Sequence, residues 1–599
     1  MKQINIFLLY LITFSFSLTL AASTATNQHL LKWKNWDASA FAAAKQENKF
    51  ILLDLEAVWC HWCHVMDQET YSNPAVVQYL TENFITIKVD QDSRPDLALK
   101  YKDYGWPATI FFDSNGIEIV KRAGYIAPNS MLSLLKAIVK DPSPENISNV
   151  LRNEKPSNNT ALPEAIRVQL LTNHQQSLDQ EVGGLVTFQK FIDIDTMEYT
   201  LTNILRGETA NKDWAIITLN NALKLQDPVW GGFYQYSTDG DWEHPHFEKI
   251  VKFQARYIKI YAFAYSIFRD KRYLKAAENT ANYVKKYLTD DNGGFYVSQD
   301  ADYIPGKHSD EYFKLDDLKR KNLGTPRVDK NIYSRENGWL IEALSYLYEV
   351  TENPQYLNQA IQSLNTIEKG YLNNEGGFSH QALTAQSHSR FYQSDNTAMG
   401  KAYLQLYRAT AERRYLKASL KVADFIHNNF YNSNGSYDLA AADGTPISYD
   451  PQIGESIALA RYFSALFHIS GVIDHFKNAK HVMKFLSREK VALASIIESG
   501  ILLVDNEMNN LPFHITIIGS KQSAIAKQLF TAGLAVPSLV KRIEWWDRKD
   551  GKLMNEDVKY PYLTKPAAFV CTNSICSLPL RTPEKLTQFS NKRLDKTQR

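Results

Sequence analysis

Five consecutive residues carry the clearest chemistry in the chain: Cys60-His61-Trp62-Cys63-His64. Two thiols at i and i+3 at a helix start lie close enough to join as a disulfide. The helix N-terminus favours a thiolate at the first of them. Cys60 is therefore the expected nucleophile and Cys63 the resolving thiol. His61 lies between them; protonated, it would stabilise the Cys60 thiolate and make the disulfide more oxidising. Asp54 sits six residues before Cys60 in an apolar run. A carboxyl there is expected to be partly buried, with a raised pKa, and suited to moving the proton of Cys63. The same residues admit other readings. The pair could be half of a zinc site completed by Cys571 and Cys576. Cys60 to His64 also spells CxxCH, an attachment motif for c-type haem. His64 could simply pack on a helix, and Asp54 could be a plain strand-end charge.

A strand and a helix must hold these groups. Residues 50–57 (FILLDLEA) are apolar and read as a buried strand running into the cysteines. Residues 40–48 and 75–83 read as helices. Residues 85–90, 110–112 and 117–122 read as further strands, with a turn at Asp113-Ser114-Asn115-Gly116. Strand, helix, strand, then a strand pair is an α/β order.

ILLDLEAVWCHWC resembles the active-site strand and helix start of thioredoxins. VDQDSRPDLALKYKDYGWPATIFFDSNG resembles their central strand, following helix and proline-led hairpin. More narrowly, CHWCHVM, ENFITIKVD and SRPD resemble the family of spermatogenesis-associated protein 20 and bacterial YyaL, which join a thioredoxin-like domain to an α-helical toroid. The resemblance implies thiol-disulfide exchange, with Asp54 as the proton carrier and Pro107 as a cis-proline facing the cysteines.

After a Pro-, Asn- and Ser-rich linker at 141–165, the chain repeats. Helical stretches begin near Tyr273, Tyr356 and Tyr415. Glycine turns follow each by twenty residues, at Gly293, Gly376 and Gly435. Tyr265, Tyr348 and Tyr407 precede each by eight. Some six helix pairs over 166–490 predict an (α/α)6 toroid. That looks like the fold of many glycoside hydrolases, lyases and N-acylglucosamine 2-epimerase relatives. One mouth of such a toroid is expected to gather His244, His246, Glu248, Asp300 and Asp302, with Glu336-Asn337, Asp395-Asn396 and Glu455. Carboxylates and histidines in an aromatic funnel could do glycoside or epimerase chemistry. Acids at helix starts also complement the helix dipole whatever the function. Residues 491–599 read as a small α/β piece, in which Cys571 and Cys576 are expected to form a second disulfide or a redox partner of Cys60.

The whole chain has 599 residues, too many for one core. Lys+Arg 67 against Asp+Glu 65 leaves a net charge of +2, which argues against nucleic acid as the main partner. Lys2, an apolar run and then small residues up to Ala25 read as a secretory signal over residues 1–25. Export to periplasm or medium, with no other membrane segment, would keep disulfides oxidised. The fold class expected is therefore multidomain: a thioredoxin-like domain over 30–140, the toroid, and the C-terminal subdomain. The function expected is a thiol-disulfide oxidoreductase acting on protein thiols and disulfides, with no cofactor or metal. The alternative is a carbohydrate-active or carbohydrate-binding toroid, taking a saccharide, with the thioredoxin domain as redox sensor or docking module.

Overall fold

The computed structural model describes residues 31–145, 157–384, 390–572 and 575–596. The expected signal segment at 1–25 lies outside them. After α1 (Ala38–Glu47), the strand β1 (Phe50–Glu56) is central in a four-stranded sheet. It pairs in parallel with β2 (Phe84–Asp90) and antiparallel with β3 (Ala108–Phe112), which pairs with β4 (Glu118–Ala123). Its apolar run is buried on both faces, as a central strand requires. Ile51, Leu53 and Leu55 enter one core cluster, while Leu52 enters the opposite one with Met66. Strand alternation puts Asp54 on the Leu52 face, the side of α2 (His61–Glu69). The helices α3 (Pro74–Asn83), α4 (Pro95–Lys100) and α5 (Pro128–Lys140) complete a thioredoxin-like domain.

The next region is a closed ring of helices. Its first helix is α6 (Glu164–Ser177), followed by α7 (Ile194–Leu205), α8 (Lys212–Ala222), α9 (Val251–Phe268) and α10 (Lys271–Tyr287). An insertion carries α11 (Asp310–Phe313) and α12 (Asp317–Leu323). The pairs α13 (Ser334–Thr351) with α14 (Pro354–Tyr371), α15 (Gln393–Thr410) with α16 (Arg413–Phe430), and α17 (Ile453–Ser470) with α18 (Ile473–Leu486) follow. After the short α19 (Glu489–Ala492) comes α20 (Ser499–Asn509). The inner ring runs α7, α9, α13, α15, α17, α20 and back to α7. The outer partner of α20 is α6, so the first and last helices of the region form its sixth pair. The ring thus takes in 499–509, a stretch that the sequence pattern assigns to the C-terminal piece.

The repeated glycines have two jobs. Gly293, Gly376 and Gly435 all have left-handed φ, between 93° and 103°. A Cβ on them would meet Gln362, Lys421 and Lys484 of the next outer helix at 2.5, 3.1 and 2.8 Å. The turn and the close packing both demand glycine. A second repeated device lies at the fourth position of three inner helices. The side-chain amides of Gln254, Asn337 and Asn396 accept from the backbone N–H of Phe233, Phe295 and Phe378, at 2.7, 2.8 and 2.8 Å. Asn337 and Asn396 therefore hold incoming loops.

Three short strands cross one mouth of the ring: β5 (Lys249–Ile250), β6 (Ser298–Gln299) and β7 (Val328–Asp329), in the order β5-β6-β7. A further two-stranded hairpin, β8 (Tyr431–Asn432) with β9 (Ser436–Tyr437), joins α16 to α17. The thioredoxin-like domain covers the mouth formed by the inner-helix N-termini. Arg94 pairs with Asp443 (2.9 Å), Arg390 with Asp96 (3.2 Å), and Trp36 Nε1 donates to Tyr449 (3.2 Å).

The opposite mouth carries the C-terminal subdomain. It has a sheet of order β11-β10-β12-β13, built of β10 (Phe513–Ile518), β11 (Lys541–Trp546), β12 (Ala567–Thr572) and β13 (Ile575–Cys576), with α21 (Ala524–Leu534) and α22 (Pro583–Lys596). Lys541 pairs with Glu349 at the end of α13 (3.1 Å), and Arg408 at the end of α15 donates to the Leu539 carbonyl (2.7 Å). The eighteen residues of α13, about 27 Å at 1.5 Å each, separate the two caps. No helix among the described residues is long and apolar enough to cross a membrane.

Candidate active site

Cys60 is the N-cap of α2, and its sulfur accepts from the Cys63 backbone N–H at 3.1 Å. The two cysteines form a disulfide and are 4% and 3% exposed. Cys571 and Cys576, directly opposed in β12 and β13, form the second disulfide. With one pair at each mouth of the ring, neither a shared zinc site nor direct exchange between them fits this structure. Haem does not fit either, since both thiols are buried and the His64 ring is enclosed.

Beneath α2, Asp54 is 2% exposed and its Oδ2 lies 3.3 Å from Lys88 Nζ. Burial pushes its carboxyl up to about 7, against the pull of Lys88. Lys88 also pairs with Glu56 (2.9 Å) and with Asp67. The buried Asp54 Oδ1 has no hydrogen-bond partner. The Trp106–Pro107 bond is cis, at the start of β3.

The two histidines of the motif turn away from the cysteines and into the toroid. His61 Nδ1 donates to Asp302 at 2.8 Å, and its ring stacks on His308 with 4.1 Å between centroids. His61 is therefore held by Asp302 and not directed at Cys60. His64 donates through Nδ1 to Asp302 (3.2 Å) and through Nε2 to the Val58 carbonyl (3.1 Å). A carbonyl and a carboxylate can only accept, so His64 is the doubly protonated imidazolium. Burial opposes that charge, but Asp302 and Asp300 raise the His64 pKa overall. In turn, despite burial, His61 and His64 hold the Asp302 carboxyl down at about 2. Asp300 is pushed up to about 7 by burial, with its Oδ2 3.6 Å from His64 Nε2.

Asp300 and Asp302 stand at the start of the insertion after β6. The insertion is tied down by a buried triad, in which Lys249 Nζ and Arg320 both contact Asp227 Oδ2, at 2.6 and 2.7 Å. It touches α2 again where Gln68 donates to the Pro305 carbonyl at 3.0 Å.

Four of the five nominated toroid residues thus face the thioredoxin-like domain. Asp300 and Asp302 hold its histidines. His246 and Glu248 line a cleft of about 320 Å³ together with Cys60. His246 stacks on Tyr236, and Glu248 is buried with Oε2 unpartnered. His244 is not in this group: its side chain is exposed and pairs with Asp241 at 3.0 Å. The rest of the cleft wall comes from Trp59, Trp106 and Lys102 on one side and Phe191, Gln235 and Phe253 on the other. Residue patterns missed Lys88, His308 and the toroid wall, because each reaches the site only through tertiary folding.

Deeper in the mouth, His380 donates to Asp395 (2.9 Å) and to the Asp92 carbonyl (2.8 Å). Glu336 pairs with Arg335 at 2.6 Å. The ligand atoms of His64, Asp300 and Asp302, and those of Glu336, His380 and Asp395, lie within 4.8 Å of one another, but both ring nitrogens of each histidine already donate and leave no lone pair for a metal ion. Asp54, Glu56 and Asp67 form a third such group, but Lys88 already supplies its cation.

A family model described as "Thioredox_DsbH: Protein of unknown function, DUF255" matches residues 19–155. Beyond that domain, the chain is 23% identical over 532 residues to "Uncharacterized protein B0495.5" of Caenorhabditis elegans, covering 68% of this chain and 73% of that one. It is 31% identical over 308 residues to spermatogenesis-associated protein 20 of Mus musculus. Over those residues the chain is similar to spermatogenesis-associated protein 20. Against the mouse protein the match takes in 46% of this chain and 39% of that protein's length. The chain is also 33% identical over 104 residues to thiol:disulfide interchange protein DsbD of Campylobacter jejuni, 16% of this chain and 18% of that one. Among solved structures, a D-mannose isomerase is 13% identical, covering 58% of this chain and 96% of that one with a TM-score of 0.44. The toroid rests on its own helix order, not on that score.

Proposed function

We propose that this protein is an exported thiol-disulfide oxidoreductase. The observation that carries the reading is a Cys60–Cys63 disulfide capping α2, above a strand that buries Asp54. In the oxidised form, a substrate thiolate attacks Cys60 and Cys63 leaves as the thiolate. A second substrate thiol attacks the mixed disulfide, releasing Cys60 and a substrate disulfide. The reverse sequence oxidises the pair and reduces the substrate. Asp54, with its pKa near neutrality, takes or returns the proton at Cys63. The toroid forms the far wall of the cleft. Export rests on the charged, apolar and small-residue pattern of the first 25 residues. Pre-reduced wild-type protein should reduce a model disulfide in one turnover, and Cys60→Ser should not. A Cys60→Ser protein that still turned over would end the proposal.

A further inference from the structure

We infer that the substrate of Cys60 is a low-molecular-weight disulfide or thiol of amino-acid type, about the size of cystine, and not a folded protein. The inference rests on the oxidoreductase reading of the same cysteines. Cys60 is 4% exposed and lines the cleft between the domains, and 320 Å³ sits at the low end of small-molecule sites, which run from ~300 to ~1,000 Å³. A protein partner usually needs ~800 Å² of open surface on each side. Here the toroid residues Tyr236, Glu248 and Phe253 face the cis-proline loop at Gly105 and Trp106. A polypeptide extended along that loop would collide with them.

The toroid is also fixed in place. Asp302 holds His61 and His64, the Trp59 carbonyl accepts from the Ala301 N–H (3.4 Å), and Gln68 reaches Pro305. The cleft is polar at two points of opposite sign. Lys102 can meet a carboxylate, and Glu248, whose Oε1 lies 3.7 Å from His246 Nδ1 while its buried Oε2 has no hydrogen-bond partner, can meet an ammonium. Aromatic walls at Trp59, Trp106 and Phe253 suit the apolar methylene and sulfur atoms between those ends.

One turnover of the reduced pair balances as written, and a thiol reductant restores the Cys60–Cys63 dithiol before the next. The Cys60 thiolate attacks one sulfur of RS–SR and releases RS⁻. Cys63 then attacks the Cys60–SR bond and releases the second RS⁻. Two electrons pass from the protein dithiol to the substrate, and Cys60–Cys63 re-forms.

The test is single-turnover oxidation of the pre-reduced full-length protein, followed by thiol trapping. It compares cystine, cystamine, dithiodipropionate and insulin at equal disulfide concentration. The expected order is cystine fastest, cystamine and dithiodipropionate at least threefold slower, and insulin at least 100-fold slower. Asp302→Asn, which loosens the toroid from α2, should speed insulin at least tenfold. Insulin reacting within tenfold of cystine in the wild type would overturn the substrate assignment and leave the oxidoreductase standing. A dithiol that dithiothreitol never releases from Cys60–Cys63, or that never re-forms the bond, would bring down the oxidoreductase reading itself.

Discussion

Asp54 shows how one buried carboxyl sets the chemistry at the residue scale. Its ordinary value of 3.8 rises to about 7 through burial. The unfolded chain loses this proton near 4, while the folded one keeps it to about 7. Over that window the folded state binds more protons, so stability falls as pH rises. Asp54→Asn should therefore be the more stable protein above pH 7, by about 4 kcal/mol, and indistinguishable near pH 4. Urea melts at both values check this. The same substitution should slow resolution of the mixed disulfide by on the order of 10²-fold, and remove the rise in rate through pH 7. Cys63→Ser should instead accumulate the Cys60 mixed disulfide, visible as an added mass. The cysteines and Asp54 were legible in the sequence because each is set by local strand-to-helix order. Lys88 was not, since its role depends on the β1–β2 register that places it opposite Asp54.

At the scale of elements, the contact between α2 and the insertion after β6 decides how the site is framed. The motif reads as if His61 served Cys60. Folding places Asp302, 241 residues away, at its ring. No local pattern could show that pairing. The clamp has a pH window. Asp302 is depressed to about 2 from 3.8, so its contribution is full above 3.8 and lost as pH falls through 2. His64 is raised above 6.5, so its contribution is full below 6.5 and lost as pH climbs through the raised value. Docking is therefore firmest between about pH 4 and 6.5. Hydrogen exchange over residues 59–69 should speed up above neutrality. Asp302→Asn should speed it at every pH, with a cost on the order of 3 kcal/mol, and should weaken the dependence on His64 protonation, to which Asp300 still contributes. Unchanged protection in that variant would mean that other contacts hold the domains together.

At the scale of the whole molecule, a network of charged side chains ties the inner helices of the toroid together. Inner helices contribute Glu198, Lys259, Glu342, Lys401, Arg461 and Glu507 to one charged cluster, and all of these but Glu198 line a cavity of about 90 Å³. Lys259 and Lys401 lie 2.6 and 3.3 Å from Glu342, and Arg461 pairs with Glu198 and, at 2.6 Å, with Glu507. Against the cost of burial, the two lysines hold the Glu342 carboxyl below its usual range. Glu342→Gln would leave both lysines without their acid and should cost about 3–5 kcal/mol, read as a lowered melting temperature, with Cys60 exchange unaffected. Lys259, Glu342 and Lys401 each fall six residues before the repeat tyrosines Tyr265, Tyr348 and Tyr407, but that register does not show that they meet until the inner helices pack side by side. The sixth helix pair was not legible either, because its two members come from opposite ends of the region and share no local repeat signal.

The central claim is that Cys60 and Cys63 exchange electrons as a pair. Thiol trapping of the full-length protein across a glutathione and dithiothreitol redox series tests it most directly. A single two-electron midpoint between roughly −270 and −120 mV, absent in Cys60→Ser and unchanged by Cys571→Ser, is the result the structure predicts. A pair that stays wholly oxidised or wholly reduced across the series, or a midpoint that follows Cys571 instead, would contradict it.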